Sequence, residues 1–99
     1  MGKENLILVK ELCSHYQVEM SLFTELHEFG IIEVQIEEGS YFIHENKLKT
    51  VEKILRMRKD LNINLEGIDT VLNLLEKINE LQAELNTVKN RLRLYEDRV

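Results

Sequence analysis

The sequence predicts a mainly α fold: a winged helix-turn-helix domain over residues 1–64 with a small β-hairpin wing, followed by a long C-terminal coiled-coil helix over residues 65–99. Three observations lead there. Two short segments with helical apolar spacing are separated by a four-residue turn. A stretch of strand-like alternation, broken by Glu37-Glu38-Gly39-Ser40, comes next. From Leu65 onward the apolar residues fall into an unbroken heptad.

Leu6-Ile7-Leu8-Val9 is a short apolar run suited to starting a strand. In the segment after it, Val9, Leu12, Cys13 and Tyr16 recur at helical spacing and mark the first helix. Gln17 to Met20 make the turn. Ser21 has the right chemistry to cap a second helix, whose inward face is Leu22, Phe23, Leu26 and Phe29. Gly30 stands where a left-handed helix end is expected. Ile31, Ile32, Val34 and Ile36 then approach a period of two, and Tyr41-Phe42-Ile43 returns as a second β-rich run, which together predict a two-stranded wing. A further helix is expected from about Glu45 to Leu61, with Leu48, Val51, Ile54 and Leu55 inward and Asn62 to Asn64 ending it.

In the last helix, heptad positions a are Val71, Ile78, Leu85 and Leu92, and positions d are Leu74, Leu81, Val88 and Tyr95. A lone amphipathic helix drifts off a strict 3.5-residue period within a few turns, so four filled heptads indicate a second helix against this seam. Ile68, Leu72 and Leu75 widen the apolar face near the start, as expected where a helix meets its own domain. Beyond Ile78 that domain is too small to cover the seam, and a homodimer follows. Both orientations of the pair remain open at this point.

Composition narrows the function classes. The chain has 99 residues, 43% hydrophobic and 31% charged, with no Trp and no Pro. It holds no apolar run near the roughly 18 residues of a membrane span. Met1-Gly2-Lys3-Glu4-Asn5 does not resemble an export signal, so a cytoplasmic location is expected. Cys13 is the single cysteine, which excludes an intrachain disulfide and a thiolate metal cage and favours a buried, small apolar role. The four glycines stand apart and build no phosphate loop. His15, His27 and His44 lack Cys or carboxylate partners at ligand spacing. No catalytic residue, metal site, cofactor or small-molecule substrate is expected, and the chain is read as a non-enzyme.

Residues 1–50 contain nine Glu, four Lys and no Arg, whereas residues 51–99 balance nine acidic against nine basic residues. The net charge of -5 therefore lies in the module shaped like a nucleic-acid reader. Reading DNA requires cations against phosphate, and carboxylates on the second helix and wing repel it. The exposed side of the second helix is expected to offer Thr24, Glu25, His27 and Glu28, and the wing Glu33, Gln35, Glu37 and Glu38. Such a face either serves solubility or meets a basic protein. Lys47, Lys49, Lys53, Arg56, Arg58 and Lys59 make the next helix basic, but Glu45, Glu52 and Asp60 are interspersed, as on an ordinary solvated helix.

Several stretches resemble one known family: Glu11-Leu12-Cys13-Ser14-His15, Phe29-Gly30-Ile31-Ile32-Glu33, Tyr41-Phe42-Ile43, Arg56-Met57-Arg58-Lys59-Asp60-Leu61, and Leu65-Glu66-Gly67-Ile68-Asp69-Thr70-Val71-Leu72 running into the coiled coil. In order and spacing they are similar to the CbpM-like chaperone modulators, relatives of the MerR-type helix-turn-helix. The resemblance implies a modulator that binds the J-domain of a CbpA- or DnaJ-type co-chaperone and blocks its interaction with DnaK. It also implies a basic J-domain helix as the complementary surface. Glu25, Glu28, Glu33, Glu37 and Glu38 are the expected partner-binding carboxylates, chosen by charge and expected exposure rather than by a family motif. MerR-type DNA readers carry Arg-Tyr-Tyr-type residues in the second helix and an Arg in the wing, where this chain has Thr24-Glu25-Leu26 and Gly39-Ser40-Tyr41-Phe42. DNA is disfavoured as a partner, and the alternative is a MerR-like DNA-binding transcriptional regulator using Lys47 to Lys59.

Overall fold

The computed structural model describes residues 5–97; Met1 to Glu4, four of the opening residues in the export reading, lie outside them. Along the chain run β1 (Leu6–Leu8), α1 (Val9–Tyr16), α2 (Met20–Glu28), β2 (Gln35–Glu37), β3 (Ser40–His44), a 3-10 turn (Glu45–Lys47), α3 (Leu48–Lys59) and α4 (Leu65–Asp97). The chain divides into two units at Leu65 and Glu66.

In the first unit the wing differs from the expected two-stranded hairpin. It is a three-stranded antiparallel sheet in the order β1-β3-β2. Leu6, Ile7 and Leu8 pair with His44, Ile43 and Phe42, and the Glu45 N–H donates to the Asn5 carbonyl at 2.8 Å. On the other edge of β3, Ile36 faces Tyr41 and Glu37 faces Ser40, leaving a two-residue turn. Glu38 and Gly39 both have positive φ, 51° and 78°, the signature of the primed turn that matches strand twist.

The strand expected from Ile31 begins only at Gln35, and the hydrogen bonds explain why. Phe29 caps the end of α2, and Gly30 enters the left-handed region at φ 75°. The Gly30 N–H then donates to the His27 carbonyl and the Ile31 N–H to the Leu26 carbonyl, the paired bonds of a Schellman ending. Ile32 N–H also goes to Leu26, and Val34 N–H goes to a side chain of α2. Donors spent on the helix exit are not available to a ladder.

Two helix starts also differ from expectation. Glu19, extended at φ -83°, is the residue before α2, and the Leu22 N–H bonds its carbonyl. Ser21 thus lies inside the first turn and donates its hydroxyl to the Glu19 carboxylate at 3.4 Å instead of capping. The helix expected from Glu45 opens as the 3-10 turn, where His44 Nδ1 accepts from the Asn46 N–H, and α3 proper starts at Leu48.

Core side chains come from the three helices of this unit, the central strand β3 and one loop residue. Val9 and Leu12 of α1, Leu22, Phe23 and Leu26 of α2, Ile43 of β3, and Val51, Ile54, Leu55 and Met57 of α3 are buried, with Ile32 from the loop. The Tyr16 hydroxyl donates to Glu52 at 3.0 Å, and Lys59 donates back to the Tyr16 carbonyl at 3.0 Å, tying the end of α1 to α3. Asn62, at φ 54°, marks the break before α4.

The second unit is one helix. α4 has 33 residues, about 50 Å at 1.5 Å per residue. Ile68 is buried and Val71 and Leu72 are half-buried. The rest of the a/d seam is exposed, from 48% at Ile78 to 69% at Tyr95.

Candidate functional site

The exposed side of α2 and the hairpin together form the surface of interest. From Glu11 through Asn46 the chain has no Lys or Arg and eight Glu. Glu25, Glu28, Glu33 and Glu38 are exposed, and Glu37 is half-buried. They do not form one cluster. At about 100° per residue, Glu28 stacks one turn beyond Thr24, whereas Glu25 turns toward the shoulder that carries Phe29. Glu37 alternates with Ile36 on β2, so these two point to opposite faces of the sheet. The carboxylates therefore surround a region rather than converge on a point.

Within that region lies a feature that sequence reading missed. A cleft of about 90 Å³ opens between α2 and the hairpin. Val9 and Phe23, both buried, contribute from the core; Met20, Thr24 and His27 line it from α2; and Val34, Ile36 and Tyr41 line it from the loop and hairpin. Ile36 is 65% exposed and Tyr41 45%, although they face each other across the strand pair. The available signal was Ile36 and Tyr41 flanking a turn of Glu and Gly, but the helical half of the lining comes from positions remote in sequence.

His27 has a structural role here. Its Nδ1 accepts the Val34 N–H at 3.0 Å, tying α2 to the segment that leads into β2. A side chain on the face that would read bases thus has one ring nitrogen committed within the fold. Cys13 is half-buried rather than buried, with Sγ 3.7 Å from Met20 Sδ, and burial raises its thiol pKa, which disfavours the reactive thiolate.

The basic residues gather elsewhere. Lys47, Lys49, Lys53, Arg56, Arg58 and Lys59 are exposed in and just before α3, among the exposed Glu45, Glu52 and Asp60. Lys59 is bonded to the Tyr16 carbonyl and Glu52 to the Tyr16 hydroxyl, so part of this charge holds the fold together. Among the described residues no group of three or more His, Cys, Asp or Glu is arranged to hold a metal ion. No helix among them is long and apolar enough to cross a membrane.

Comparison with known proteins agrees with this architecture. Residues 7–90 match the family model described as MerR HTH family regulatory protein. The chain is similar to the chaperone modulatory protein CbpM of Pseudomonas entomophila, 25% identical over 85 residues, which are 85% of this chain and 84% of that protein. CbpM of Pseudomonas putida is 26% identical and CbpM of Citrobacter koseri 29% identical, with the same coverage of both chains. No solved structure matches.

Proposed function

The chain belongs to the MerR HTH family of regulatory proteins, and from that premise we propose that it is a non-enzymatic chaperone modulator, binding the J-domain of a CbpA- or DnaJ-type co-chaperone and blocking its interaction with DnaK. One observation carries the reading. The helix and hairpin that a DNA-binding relative would lay against a duplex have no cation from Glu11 to Asn46 and expose Glu25, Glu28, Glu33 and Glu38. Phosphate binding draws on Lys and Arg, and this surface repels it. A basic protein helix is the complementary partner, and opposite charge speeds its encounter. The name of the CbpM relatives, chaperone modulatory protein, points the same way.

In this reading the winged domain, residues 1–64, does the binding and the helix, residues 65–99, pairs two copies in the cytoplasm. Support for pairing comes from the seam: Leu74, Ile78, Leu81, Leu85, Val88, Leu92 and Tyr95 are all exposed in the single chain. Burying each large apolar side chain is worth about 1.5–3 kcal/mol.

The DNA-binding reading draws on a separate observation, the exposed cations Lys47 to Lys59. Titrating salt separates the two. The chain should bind a purified J-domain and compete with DnaK for it, and the double variant Glu25→Lys, Glu28→Lys should bind about tenfold or more weakly. Unchanged binding at low and moderate salt rejects the acidic surface. Tight DNA binding that falls steeply with salt selects the regulator instead.

A further inference from the structure

We propose that the cleft between α2 and the hairpin is the docking socket for one aliphatic side chain on a basic helix of the partner. This deepens the J-domain reading and rests on it. Size decides the class of occupant: small-molecule sites hold roughly 300–1,000 Å³, whereas this cleft is about 90 Å³, the scale of a single side chain. Chemistry decides its polarity. Ile36, Tyr41 and Met20 present apolar surface at 65%, 45% and 38% exposure in a stretch otherwise rich in carboxylates.

The charge around the cleft decides what flanks the anchor. Along the chain Glu19, Glu28 and Glu33 stand next to lining residues, against one lysine, Lys10. Glu25 turns toward Phe29, and Glu37 lies on the opposite face of the sheet from Ile36, so the surroundings of the cleft are acidic without converging on it. An apolar anchor with Lys or Arg one helical turn to either side satisfies both the socket and its rim. A second copy of the same domain is a poor occupant, because residues 1–50 carry nine Glu against four Lys and like surfaces repel. DNA is poorer still for the same reason. The His27 Nδ1 bond to Val34 N–H holds the two walls together before binding, so little ordering is required when the anchor enters.

The test uses the full chain and two surface variants that change the cleft without touching the core. Ile36→Asp places a carboxylate at the mouth, and Thr24→Trp, at an exposed α2 position, fills it. Both should melt like the wild type. Against a purified J-domain each should bind about tenfold or more weakly, while Lys53→Ala on α3 leaves affinity unchanged. A J-domain that binds wild type and both cleft variants equally overturns the socket but leaves the chaperone reading standing. If the J-domain binds none of them, the chaperone reading fails, and a synthetic helical peptide with one leucine between lysines decides the socket. Shifts of the Ile36 methyl and Tyr41 ring signals with that peptide, absent with an alanine in place of the leucine, support it; no difference between the peptides overturns it.

Discussion

His27 of α2 accepts a hydrogen bond from the Val34 main chain at 3.0 Å, so the helix holds the loop that aims the hairpin. Replacing it with alanine leaves a half-buried N–H to find water. His27→Ala should cost about 1 kcal/mol in urea unfolding. His27→Asn, whose Oδ1 takes the place of Nδ1, should recover most of that loss. Equal destabilisation by both variants would show that ring packing, not the acceptor, matters at this position.

Tyr16 gives a pH-dependent signature. Burial, then the hydrogen bond to Glu52, then the Glu52 charge, raise its pKa above the ordinary tyrosine value. A folded-state pKa above the unfolded one contributes stability that is complete below the unfolded value, about 10, and is lost as pH rises through the folded value. Below about pH 10, wild type should exceed Tyr16→Phe by about 0.5–1 kcal/mol, the net worth of a hydrogen bond. The gap should close in more alkaline buffer. Paired urea titrations at pH 8 and roughly pH 11 measure it, and a constant difference would rule out the linkage.

The parts of the fold that follow local rules were legible in the chain. Gly30 marked the end of α2 because a left-handed residue closes a Schellman motif, and Asn62 marked the break before α4. β1 was harder to place: Leu6–Leu8 is only three residues, and its partner, Phe42 to His44, lies more than thirty residues away. Ile31 and Ile32 look like strand in one dimension, and only the Leu26 carbonyl that takes their N–H groups shows otherwise. For the candidate surface, composition revealed the acidic character but not the socket. Val9, Met20, Ile36 and Tyr41 meet only after α1, α2 and the hairpin have packed.

The exposed seam of α4 predicts a concentration-dependent assembly. Leu81 and Leu85 are 63% and 52% exposed in the single chain. Leu81→Glu removes about 1.5 kcal/mol or more of burial per helix and puts a carboxylate into the seam. Counted over two helices, that is about 3 kcal/mol, or roughly a hundredfold in the dimer dissociation constant. Sedimentation should find wild-type dimers and Leu81→Glu monomers at the same concentration. Asn79→Glu, at a position outside the seam, should remain dimeric; a monomeric wild type would remove the pairing model.

The hairpin tip sets stability against binding. Glu38 has φ 51°, a conformation that costs a side-chain-bearing residue about 1 kcal/mol and that Asn tolerates better. Glu38→Asn should therefore stabilise the chain by about 0.5–1 kcal/mol while weakening J-domain binding about two- to fivefold through loss of one charge from the acidic hairpin. Gly39 is the control. At φ 78°, with nothing within 4 Å of an added Cβ beyond its own chain neighbours, Gly39→Ala meets no packed group, and its expected loss of about 1 kcal/mol comes from the local strain of a Cβ at positive φ. That loss should come without a matching drop in affinity, because no charge changes. If Glu38→Asn neither stabilises nor weakens binding, the positive φ is not a cost that Asn relieves and the carboxylate at the tip does not belong to the partner surface.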